Sequence, residues 1–163
     1  MSVAREIVAT YRGPGRVVRR LLASGGHEGR ALAILMAACL IIFVAQWPRL
    51  AREAHLAERE LNPLLGGALL GWLFIAPLFF YALALVAHLV SRAFGGEGSG
   101  YAARLALFWA LLASTPLILL HGLVAGFIGP GPGLVIVGVL WCAVFLWFWI
   151  AGMRAAEWGR VAS

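Results

Sequence analysis

Four long apolar runs, 31–47, 64–90, 105–128 and 134–153, alternate with short polar stretches along this chain, and none of them contains Arg or Glu. A bilayer core about 30 Å thick takes about 20 helical residues, so each run is predicted to be a membrane-spanning helix. The second run is longer than the core and is expected to tilt or bend. None alternates with the period of two that a barrel strand requires, and a helix satisfies its own backbone in lipid. Pro77 and Pro116 fall mid-run and are expected to kink their helices. The fold class predicted is all-α: a polytopic transmembrane helix bundle of four spans (31–153), led by an amphipathic interfacial segment (1–30) and ended by a short tail (154–163).

The first thirty residues divide at Gly13-Pro14-Gly15. Before the division Val3, Ile7 and Tyr11 recur at helical spacing. After it Val17, Val18, Leu21 and Leu22 share a face opposite Arg16, Arg19 and Arg20, and Pro14 suits the first turn of that helix. Gly25-Gly26 is expected to end it and act as a hinge. A helix with an apolar face and an Arg face is suited to the headgroup layer, so Arg16, Arg19 and Arg20 are candidate contacts to anionic lipid or to a partner. The arm is not read as a nucleic-acid binder. The segment is polar and basic, so the first run is expected to be an uncleaved anchor. The stretch 48–63 carries Arg49, Arg52, Glu53, His55, Glu58, Arg59 and Glu60 and is read as a loop with a short, solvated surface helix. The glycine-rich 94–101 stretch reads as a tight turn, since it follows no strand and precedes no lysine.

Charge adds direction. Thirteen arginines face seven glutamates, with no lysine or aspartate, for a net charge of +6. Four spans place ten arginines on one side and three on the other; splitting the third run at Pro116 weakens this to eight against five. Arg-rich short loops stay in the cytoplasm, so both termini are expected there. The Arg-only, Ala- and Gly-heavy usage suits a GC-rich bacterial genome, hence an inner membrane. Composition agrees: 63% hydrophobic and 12% charged residues, against about 45–50% and 25% in a soluble domain. The missing lysine and aspartate exclude Schiff-base, Walker-lysine and catalytic-Asp chemistry.

Ionisable and polar residues inside spans are functional candidates by default: Tyr81, His88, Ser114 and His121. His88 and His121 fall near opposite faces of the membrane, on the order of 20 Å apart in depth, so they cannot share a metal. No catalytic, cofactor or metal site is read. Cys39 and Cys142 read as packing residues. Gly67 with Gly71, and Gly122 with Gly126, are small-xxx-small pairs that permit close helix approach. Trp47, Trp147 and Trp149 lie toward span ends, as interfacial anchors do; Trp72, Trp109 and Trp141 lie deeper.

The order of parts resembles the Yip1-domain family of membrane proteins, in its short bacterial form. The residues that carry the likeness are Gly13-Pro14-Gly15-Arg16-Val17-Val18-Arg19-Arg20-Leu21-Leu22, then 81–90 followed by Ser91-Arg92-Ala93-Phe94-Gly95-Gly96, then Thr115-Pro116. The resemblance implies a non-enzymatic protein acting through protein–protein contacts, since eukaryotic members are associated with vesicle trafficking and Rab-type GTPases. The expected function is therefore a scaffold, assembly factor or trafficking-type adaptor. Its expected partners are an anionic bilayer and either a membrane protein or a second copy of the chain. The alternative is a small channel or transporter subunit whose polar path, through Tyr81, His88 and His121, forms in a homo-oligomer.

Overall fold

The computed structural model describes residues 2–159; Arg160, counted in the charge bias, lies outside them. Among the described residues the elements are α1 (Val3–Thr10), α2 (Pro14–Ala23), α3 (Glu28–Leu56), α4 (Leu61–Leu70), a π turn (Gly71–Ile75), α5 (Ala76–Ala93), α6 (Gly100–Ala113), α7 (Thr115–Phe127) and α8 (Pro132–Glu157), with no strand. Three helices are long and apolar enough to cross a membrane: α3, the continuous α4–α5 rod of 33 residues, and α8. The pair α6 and α7, bent by 43°, makes a fourth if taken as one crossing. Exposed apolar side chains belt α5 and α8, among them Leu78, Phe79, Val86, Val135, Ile136 and Val139. A continuous belt of this kind is foreign to a water-facing surface.

The elements are longer than the apolar runs that announced them. α3 does not stop at Trp47 but continues through Pro48 to Leu56, so much of the expected loop is an extension of the first helix. The only backbone with positive φ outside glycine is at Glu58 among the described residues, in the turn before α4. In the second crossing the π turn lies just ahead of Pro77, and the Ala76 N–H bonds back to the Gly71 carbonyl. That wider turn absorbs the ring and the missing donor of Pro77 without ending the rod.

α6 is the core. Among its residues Leu105, Ala106, Leu107, Phe108, Ala103 and Ala113 are fully buried. It packs against α3, α5 and α8 and against both short N-terminal helices. Alanines at 102, 103, 106, 110 and 113 let the neighbours approach closely. A helix that is apolar all round belongs inside a protein, and here half of the third run lies there.

The crossings share two ends. At the near end Glu28 of α3 pairs with Arg104 of α6, and the Glu97 and Gly98 N–H groups bond to Glu157 of α8. At the far end the Arg52 guanidinium reaches the Gly126 carbonyl at 3.4 Å. With α6 and α7 as one bent crossing, successive crossings run in opposite directions and the end of α8 lies at the near end with the N-terminal arm.

Candidate functional site

The arm formed by α1 and α2 does not lay its apolar face into lipid headgroups. Val17 and Val18 are each 1% exposed, pressed against α6 and the last turns of α8. Gly15 lies beside the Ala151 carbonyl, and Val18 touches the spot where a Gly152 side chain would begin. The expected headgroup contact of this face is corrected to a protein–protein seam, because a buried helix face gains tight packing that disordered lipid does not offer. The predicted stop is present: Gly25 takes a left-handed φ of 97° just past α2.

The arm reaches the break in the third run. Pro116 has no N–H, so α6 ends one turn earlier and its last carbonyls need other donors. Ser114 Oγ donates to the Leu111 carbonyl at 2.9 Å and Thr115 Oγ1 to the Leu112 carbonyl at 2.7 Å. The Tyr11 hydroxyl donates to the Ala113 carbonyl at 3.0 Å. One residue earlier, Thr10 Oγ1 accepts the Trp109 indole N–H at 3.0 Å, and the Tyr11 ring meets Phe148 edge-on at 4.9 Å. Burial pushes the Tyr11 phenol above its ordinary value of 10.0, which favours the neutral donor. Its contribution to stability is present below about pH 10 and is lost as pH rises through the raised value. Tyr11→Phe is expected to cost about 1–2 kcal/mol by leaving a buried carbonyl unpaired. Limited proteolysis checks this, with faster cleavage within the first 25 residues.

The second cluster ties the near end together around one acid. Glu157 is 2% exposed; its Oε1 lies 2.7 Å from His88 Nδ1 and its Oε2 accepts the Gly98 N–H at 3.0 Å. Its main-chain carbonyl also accepts the Glu97 N–H at 2.8 Å. The glycine-rich stretch is a turn, as expected: Gly95 has φ 85°, and the Gly96 N–H closes on the Ser91 carbonyl at 2.8 Å. Ser99 then caps α6 by accepting the Ala102 N–H. The turn nevertheless holds an acidic group, the side chain of Glu157. A side chain at Gly96 or Gly98 would meet Oε2 at 2.9 Å.

The intramembrane candidates do not converge. Tyr81 stacks edge-on against Phe108 at 4.9 Å. His88 belongs to the Glu157 cluster, and Ser114 accepts the Trp141 indole N–H at 3.2 Å. His121 is half-buried with its ring edge against Gly138 of α8. From 138 to 157, α8 rises about 28 Å, so the two histidines sit toward opposite ends, as their spacing predicts. Among the described residues no three His, Cys, Asp or Glu side chains group as a metal site would. The glycine pairs differ. Gly122 and Gly126 lie directly on Ala45 and Pro48 of α3, whereas Gly67 and Gly71 have open space where a side chain would begin. Arg20 pairs with Glu6 at 3.2 Å, and Arg16 donates to the Arg12 carbonyl at 3.3 Å.

Sequence reasoning passed over Glu157, Tyr11 and Thr10. For Glu157 the available signal was a lone acid set among Ala155, Ala156 and Trp158, four residues past the predicted end of the fourth span. Tyr11 was assigned only to an apolar face. Set against known families, curated proteins and solved structures, the chain finds no match.

Proposed function

We propose that this chain is an integral membrane protein that works by helix–helix contact, as a scaffold, assembly factor or trafficking-type adaptor, and carries out no reaction of its own. The observation that carries the reading is the unoccupied glycine face of α4 and the start of the π turn. Beyond the helix's own neighbouring backbone, nothing lies within 4 Å of a side-chain position at Gly66, Gly67 or Gly71, although the same motif at Gly122 and Gly126 is filled by α3. Small-residue faces in lipid gain stability by close backbone approach. The face on α4 is accordingly assigned to another membrane helix, from a partner or from a second copy. The likeness to the Yip1-domain family agrees with an adaptor role, and the inner membrane is its proposed location.

Crosslinking in native membranes tests the reading. Gly67→Leu and Gly71→Leu are expected to abolish a crosslinked partner or dimer band while leaving the monomer folded, since the space they enter is empty. Unchanged crosslinking overturns the assignment. The arginine bias puts both tails in the cytoplasm, and reporters fused to each end should be active on that one face.

A further inference from the structure

Between α2 and the last turns of α8 lies an open groove of about 790 Å³. One wall is a stripe of α8 and its C-cap in which Trp147, Ile150, Arg154 and Trp158 follow each other at three- to four-residue steps; the other is α2, with Gly15 and Arg19. Trp147 and Ile150 are about half exposed, so the groove offers an uncovered apolar floor.

The charges at its mouth are unbalanced. Among the described residues neither Arg19 nor Arg154 has a carboxylate within ion-pairing distance. Two nearby acids are engaged, Glu6 with Arg20 and Glu157 with His88 and the Gly98 N–H, and Glu97, beside the end of α8, pairs with neither arginine. Along α8 the apolar pair comes first, and Arg154 follows Trp147 by about 10 Å of helix rise. An occupant must therefore be apolar at one end and anionic at the other, with its charge toward the near end of the bundle. Guanidinium groups suit phosphate oxygens, and indole rings suit the boundary between hydrocarbon and headgroup.

We infer that this groove binds one anionic glycerophospholipid, its phosphate between Arg19 and Arg154 and an acyl chain along Trp147 and Ile150. Of the three arginines on the exposed face of α2, Arg19 alone serves this site; Arg16 and Arg20 are turned to contacts within the arm. The inference rests on the membrane reading above and gives it a lipid ligand.

The test places the full chain in nanodiscs of equal phosphatidylglycerol and phosphatidylcholine, extracts it in mild detergent, and weighs the retained lipid by native mass spectrometry. Wild type is expected to keep phosphatidylglycerol over phosphatidylcholine by about tenfold or more, from two arginines near an anionic group. The double variant Arg19→Gln with Arg154→Gln should retain the two lipids equally, and Arg16→Gln should behave as wild type. Equal retention by wild type overturns the site, as does an equal loss in Arg16→Gln, which would mean diffuse charge. Displacement by millimolar glycerol 3-phosphate would overturn it in favour of a soluble anion. A chain that fails to enter nanodiscs at all would sink the membrane reading instead, so the two failures are separable.

Discussion

Glu157→Ala is expected to lower stability by roughly 3 kcal/mol, the largest loss from any single polar substitution in this chain. The substitution removes two contacts at once: His88 Nδ1 loses its partner, and the Gly98 N–H is left facing an apolar gap. Three segments depend on them, since α5, the 94–99 turn and α8 meet at this one carboxylate. Thermal unfolding in detergent should show a fall in Tm on the order of 10 °C. Glu157→Gln keeps an acceptor for Gly98 and should lose less than half as much. If the two substitutions cost the same, the Gly98 hydrogen bond contributes nothing and the loss lies in the contact with His88. A full-sized loss in Gly98→Ala would fit the same geometry, because its new methyl would strike the Ala156 carbonyl.

Gly122→Leu is expected to prevent the α3–α7 contact from forming. Even the first carbon of a side chain there would collide with the Ala45 carbonyl, and one at Gly126 would collide with Pro48. These obstacles are backbone and a proline ring, neither of which can swing aside. Overpacking typically costs 1–3 kcal/mol, and a rigid obstacle puts this case at the upper end, about 3 kcal/mol. Fluorescence-detected size exclusion should show aggregated or degraded protein for Gly122→Leu and a monodisperse peak for Gly67→Leu. The comparison holds residue type and motif constant and changes only what lies opposite. A monodisperse Gly122→Leu would mean that α7 does not lie on α3 as described.

Much of the bundle was legible because apolar runs free of charge report a helix directly, whatever its neighbours. Their ends were less so. The charged residues Arg49, Arg52 and Glu53 end a hydrophobic run without ending a helix, and α3 carries on through them to Leu56. The break at Ser114 was half legible. Pro116 marked the place, but the side chains of Ser114, Thr115 and Tyr11 let the helix stop there with its carbonyls paired. The docking of the arm could not be read at all. A face of Val17, Val18 and Leu21 looks the same whether lipid or protein covers it, and its partners on α6 and α8 are distant in sequence. The same holds for the glycine pairs, where one motif is filled and the other open, and for Glu157, whose partners come from α5 and the turn. What a pattern buries is local information; what it is buried against is not.

The fastening of Tyr11 and Thr10 to α6 spans 102 and 99 residues of chain. The arm therefore precedes the helix that it fastens to, and neither bond can form until α6 has been made and inserted. Its seam with α8 can close only later still, because α2 packs against the last helix of the bundle. The arm is an early segment buckled by late ones, first α6 and then α8.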